Sequence, residues 1–108
     1  MEVLKKGTIE SLLVHLRDRM RNIDSLGDVT NLRFDTKKKD DSSACETNKT
    51  ATFDIDDPMV AICEIDTSLA AYVIESDDDH EEFKLYLKYT AGTENPILGP
   101  VFFRVEDD

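Results

Sequence analysis

Apolar residues in this chain recur at every second position. Phe83, Leu85, Leu87 and Tyr89 alternate with Lys84, Tyr86 and Lys88, which predicts a strand with one buried face. Residues 60–66 split the same way, with Val60, Ile62 and Glu64 on one side and Ala61, Cys63 and Ile65 on the other. Shorter strands are predicted at 32–36, 52–56, 70–74 and 101–105. Turn formers separate them at 40–43, 56–58, 76–79, 91–96 and Gly99-Pro100. Short strands punctuated by turn chemistry point to an all-β sandwich of about seven strands. The core expected from this pattern is Leu12, Val14, Leu16, Leu32, Phe34, Phe53, Ile55, Ile62, Ile65, Phe83, Leu85, Leu87 and Phe103.

The N-terminal segment fits two periods. Ile9, Leu13, Leu16, Met20 and Ile23 recur at helical spacing, with Thr8 placed to cap and Gly27 to end a helix over 9–25. The rival is a strand with Leu12, Val14 and Leu16 on one face. On pattern alone the helix is favoured.

The chain has 108 residues, the size of a single domain over 1–108. Folding at this length buries roughly two-thirds of the unfolded surface, enough for one core. No apolar run approaches the roughly 18 residues of a membrane span. The net charge is −11, unevenly spread. Residues 1–50 carry 10 bases and 9 acids, whereas residues 51–108 carry 3 bases and 15 acids. Such a chain is repelled by phosphate, so nucleic acid and anionic membranes are not expected partners. Cys45 and Cys63 are too few for a disulfide framework and have no nearby cysteine or histidine for a zinc site. Cys63 reads as a small buried hydrophobe. Asn48-Lys49-Thr50 matches a glycosylation acceptor, which means nothing without secretion.

Three stretches resemble the small immunoglobulin-like β-sandwiches of tailed-phage virion proteins, above all the N-terminal domain of baseplate upper proteins. They are Val14-His15-Leu16-Arg17-Asp18, Asn22-Ile23-Asp24-Ser25-Leu26 and Val29-Thr30-Asn31-Leu32-Arg33-Phe34. In that family a strand ends at an Asp, a turn containing Asn follows, and an Asp-x-Leu step leads into the next strand. The end of the chain is similar to the family's last hairpin: Phe83-Lys84-Leu85-Tyr86-Leu87-Lys88-Tyr89-Thr90, a Gly-containing turn, then Gly99-Pro100-Val101-Phe102-Phe103-Arg104-Val105. The chain departs from the pattern at Met20-Arg21, at Glu82-Phe83, and in a long charged stretch at 37–50. The resemblance covers about residues 8–106. It implies an immunoglobulin-like antiparallel sandwich and turns the preference for 9–25 from helix to strand. It also implies a virion component, made in the host cytoplasm, that acts by protein–protein packing.

Candidate chemistry is sparse. His15 lies between Val14 and Leu16, on the expected exposed side of a strand, with no nucleophile at hand. The acidic run Asp77-Asp78-Asp79-His80-Glu81-Glu82 lacks the alternating ligands and glycine of a calcium loop. Asp54 and Asp56 share an outer face if Phe53 and Ile55 point inward. Gly7, Gly27, Gly92 and Gly99 are isolated, so no phosphate loop is present. The expectation is a non-enzyme with no catalytic residue, cofactor, metal or small-molecule substrate.

The candidate interaction residues are therefore two charged runs. Lys37, Lys38 and Lys39 form a basic tip, read either as protection of a strand edge or as a latch for an acidic neighbour. Asp77, Asp78 and Asp79 form the acidic counterpart. The expected partners are other virion proteins in a homo-oligomeric ring or array. The alternative is an acidic mimic of DNA that inhibits a host nucleic-acid-binding protein, motivated by the acidity of residues 51–108.

Overall fold

The computed structural model describes residues 1–15, 29–40, 42–56, 60–74, 79–91, 93 and 95–107. Among them are eight strands and no helix. They are β1 (Glu2–Lys5), β2 (Ile9–His15), β3 (Val29–Lys38), β4 (Ala44–Thr50), β5 (Thr52–Phe53), β6 (Val60–Asp66), β7 (His80–Ala91) and β8 (Ile97–Glu106). Five of them form one sheet in the order β1-β8-β7-β3-β4, and three form a second in the order β2-β6-β5. Every pairing is antiparallel except β1 with β8, which is parallel.

Both sheets feed one core. Leu12 and Val14 of β2 and Ala61, Cys63 and Ile65 of β6 join Phe34, Phe83, Leu85, Leu87, Phe103 and Val105 of the larger sheet. Opposite faces of a strand differ by one residue, and the register obeys this. Leu12 pairs with Cys63 and Val14 with Ala61 on the inner side, while Leu13 pairs with Ile62 on the outer. Ile9–His15 is thus a strand and not the start of a helix; the rest of 9–25, with Leu16, lies outside the described residues. Ile62 belongs to the outer face, half-exposed.

Two further expectations are corrected. The strand at 52–56 stops at Phe53, and Ile55 is 96% exposed. Asp56 N–H donates back to the Asp54 carboxylate, and this local turn competes with the ladder. No strand forms at 70–74. That apolar run instead folds as turns that drop Tyr72 into the core, fully buried, leaving Val73 46% exposed. The charged stretch 37–50 contains β4, whose partner β3 supplies the ladder that composition did not announce.

Irregular backbone is handled by residues that tolerate it. The β7–β8 register shifts between Leu85↔Val101 and Leu87↔Leu98, so Gly99 and Pro100 together face Tyr86. Gly99-Pro100, expected as a turn, is therefore a bulge inside a long strand, a place where Gly and Pro both fit. Gly99 sits at φ +129, and a Cβ there would lie 2.7 Å from the Leu85 carbonyl oxygen. Asn31 and Asn48, at φ 54 and 52, each occupy an irregular stretch, in β3 and β4 respectively; Asn accepts the left-handed region better than most residues.

The crossing from one sheet to the other is pinned by Thr67. This fully buried side chain donates to the Lys5 carbonyl at 2.6 Å and accepts from Thr8 N–H at 3.0 Å. Lys6 Nζ caps the same turn by donating to the Thr67 and Leu69 carbonyls. Chain reversal at Gly7 is thereby tied to the end of β6.

Gly99→Ala is expected to destabilise the fold by about 2 kcal/mol or more, through backbone conflict and strain. Urea denaturation measures it; a loss below half that amount would mean the bulge relaxes freely.

Candidate interaction surface and buried carboxylate

The outer face of the five-stranded sheet gathers positive charge. Side chains at alternate positions place Arg33, Asp35 and Lys37 of β3 beside Lys88, Tyr86 and Lys84 of β7. Phe102, Arg104 and Glu106 of β8 continue the row, and Val3 and Lys5 of β1 end it. Residues 51–108 contain only three bases, and all three, Lys84, Lys88 and Arg104, stand here. By contrast β2, β5 and β6 contain no Lys or Arg at all.

Part of this charge is paired. Lys88 bridges to Asp35 at 2.9 Å, with both side chains less than one-fifth exposed, and also donates to the Asn48 side chain. Burial by itself would raise the Asp35 carboxyl, but the Asn48 amide and Lys88 outweigh it and hold it below the usual range. Lys39 bonds Glu82 at 2.6 Å, and this bond keeps the Glu82 carboxyl low. Arg104 lies 3.7 Å from both Glu82 and Glu106. Aromatic rings lie under the ammonium groups, Lys37 over Tyr86 and Lys39 over Phe102, each at 5.7 Å. Between them Asp35, Lys37, Tyr86, Lys88 and Ile97 line a shallow depression of about 170 Å³. That is smaller than the several hundred Å³ usual for a small-molecule pocket.

The predicted lysine tip is thus split. Lys37 and Lys39 contribute to this outer face, while Lys38 points to the other side of its strand. Edge protection does not describe them, because β3 is flanked by β7 and β4 and is not an edge. Asp77 and Asp78 lie outside the described residues. Asp79 is exposed, bonds the His80 ring at 2.8 Å, and accepts from Asp107 N–H through its carbonyl. The structure does not bring Asp79 to the lysines; Lys39 pairs with Glu82 instead. Lys84, Tyr86, Lys88, Phe102 and Arg104 were missed as a surface, although the period-two spacing of 84, 86 and 88 carries the signal.

A second feature lies between the sheets. Glu46 on β4 is only 4% exposed, and Thr36 and Tyr72 are fully buried. The Tyr72 hydroxyl donates to Glu46 Oε1 at 2.5 Å and accepts from Thr36, whose oxygen in turn accepts Glu46 N–H at 3.1 Å. Asp66 N–H of β6 also donates to Oε1, at 3.3 Å, while Oε2 has no hydrogen-bond partner. Burial raises the Glu46 carboxyl above its ordinary range, against the pull of the Tyr72 hydroxyl and the Asp66 amide. Burial likewise pushes the Cys63 thiol up to about 12, with the Glu46 charge adding to it. A thiol so held is no nucleophile at neutral pH. The cluster can store a proton and brace the sheets; it offers no open position to a substrate. Sequence gave no hint of it, since Glu46 sits in a stretch of polar and charged residues.

Comparison with family models, curated proteins and solved structures found no match for the chain.

Because its carboxyl is raised on folding, Glu46 contributes stability fully below its unfolded value of roughly 4.3 and loses it as pH rises through the folded value. Glu46→Gln keeps the acceptor for Tyr72 and removes the titration. It is expected to be more stable than the parent by on the order of 1 kcal/mol at about pH 8 and nearly equal at about pH 4. Urea denaturation at the two pH values checks this, and an equal difference at both would refute it. Tyr72→Phe takes the acceptor from the Thr36 hydroxyl and one of two donors from Glu46 Oε1, and is expected to cost about 1–3 kcal/mol in the same assay.

Proposed function

We propose that the protein is a structural or adaptor component of a tailed-phage particle, in the tail, neck, baseplate or capsid surface. In this reading it is an immunoglobulin-like sandwich that works without chemistry, by packing against other virion proteins in a ring or array. The observation that carries the reading is strand order. The sequence β2-β6-β5 follows the B-E-D order of an immunoglobulin domain, and β8-β7-β3-β4 follows G-F-C-C′ of its variable type. β1 lies along β8 as a first strand that has crossed between sheets. The terminal hairpin that carried the resemblance corresponds to β7 and β8. Arg33, Arg104, Tyr86 and the exposed Phe102 on one sheet face support a role in docking, since aromatic residues and Arg are enriched where proteins meet.

The mimicry reading draws on the three-stranded sheet. There Glu64 and Asp66 stand two positions apart on the outer face, roughly 6–7 Å along the strand, and no base interrupts them. It is weakened by the basic face on the other sheet, which a phosphate-mimicking surface has no use for.

Mass spectrometry of purified particles is expected to find the protein at fixed copy number. Its absence from particles, together with co-purification with a host nuclease or polymerase that is lost at high salt, would replace the structural reading with mimicry.

A further inference from the structure

The two sheets present outer faces of opposite character on opposite sides of one domain. On the five-stranded sheet seven bases (Lys5, Arg33, Lys37, Lys39, Lys84, Lys88 and Arg104) outnumber three acids (Asp35, Glu82 and Glu106). On the three-stranded sheet the outward charged residues are Glu64 and Asp66, with His15 at the far end. Asp66 is held ionised by its bond from Ser68. Each face also carries exposed apolar side chains beside its charges. Ile97 is 64% and Phe102 41% exposed on the first; Ile9 is 67% and Leu13 45% exposed on the second. Side chains of this kind are ordinary singly, but here they flank complementary charge.

We propose that the outer face of the five-stranded sheet of one copy docks on the outer face of the three-stranded sheet of the next copy. This deepens the packing role proposed above and rests on it. The occupant is a second copy because the chain itself supplies the complement. A protein of net charge −11 that concentrates its surplus bases on one sheet leaves the other sheet as the natural counter-surface. The contact is heterologous, one patch meeting a different patch. Each added copy therefore still offers both faces, and the assembly grows as a row or closes as a wide ring rather than stopping at two. The domain measures 47 × 28 × 20 Å, so its broad faces can supply the roughly 800 Å² per partner that a stable contact buries.

The surplus charge sets the salt dependence. Pairing across a solvent-bordered interface weakens as the Debye length shrinks from roughly 30 Å in dilute salt to 3 Å at molar strength. Apolar contacts among Ile97, Phe102, Ile9 and Leu13 do not weaken in this way. The association is thus steered by charge and retained in part by apolar burial.

Sedimentation velocity on the full chain, run across micromolar concentrations at low and at molar salt, tests this. The expected result is a concentration-dependent series of species beyond the dimer, with affinity falling by about ten-fold or more at high salt. The triple variant Arg33→Glu/Lys37→Glu/Lys84→Glu reverses the first face, to four bases against six acids, and the double variant Glu64→Lys/Asp66→Asn reverses the other. Each alone is expected to remain monomeric, and mixing the two is expected to restore association, because the reversed faces then complement each other. Circular dichroism confirms that the variants remain folded; where one does not, Lys5→Glu in place of Arg33→Glu, or Leu13→Lys in place of Asp66→Asn, both at exposed sites, serves instead. A parent chain that stays monomeric at low salt would overturn the proposal, as would variants that associate like the parent or a mixture that stays monomeric. Monomeric protein found at fixed copy number in particles would sink this inference while leaving the structural role intact.

Discussion

Tyr72 fastens the segment that follows β6 to the inner face of the five-stranded sheet. Its ring meets Phe83 edge-on at 5.0 Å and approaches Phe103 at 6.5 Å, while Phe83 and Phe103 stack at 5.7 Å. Its hydroxyl ends in the hydrogen bonds to Thr36 and Glu46, so one side chain satisfies both the apolar and the polar halves of the core. Aromatic burial of this kind is worth more than its area alone, and a buried hydroxyl is tolerated only when bonded. The segment 67–74 has no ladder of its own and depends on this anchor, on Thr67 and on the Lys6 contacts. Glu46 extends the brace from the edge strand β4 to Asp66 on β6, so the polar network spans the gap that the apolar core fills elsewhere.

That arrangement has a consequence for chemistry. The residues with reactive side chains inside the molecule, Glu46, Tyr72 and Cys63, are enclosed and driven toward their neutral forms. The charged residues that remain accessible are arranged as faces rather than as a convergent site. The Lys39–Glu82 pair holds Lys39 over the Phe102 ring, and Lys37 lies over Tyr86, an arrangement that favours recognition of a broad, acidic surface over capture of a small ligand. Docking is the proposal these constraints support.

Much of the fold was legible from alternation. The buried side of β7 follows directly from period two, because a one-residue slip would turn every inward side chain to solvent; in β6 the alternation separated two faces, and Ile62, expected in the core, lies on the outer one. The helical spacing of Ile9, Leu13 and Leu16 misled because a segment with apolar residues at both periods is resolved only by its neighbour, here β6. Residues 70–74 misled for the opposite reason. Their β-branched and aromatic content satisfies strand propensity, yet no adjacent strand offers hydrogen bonds, and Tyr72 gains more from the core than from a ladder.

By itself the amino-acid sequence determined the all-β character, the inner faces of the long strands, and the segregation of acid into the second half, since each is a property of local order along the chain. Tertiary structure alone decided that Gly99-Pro100 is a bulge, that Lys37 sits inside a sheet with Lys39 just past the end of its strand, and that Glu46 is buried beside Tyr72. It also decided that Lys84, Lys88 and Arg104 share a face with Arg33 and Lys37. These depend on which strands become neighbours, and strand order is set by the closure of two sheets over a common core, a long-range choice that no local pattern encodes.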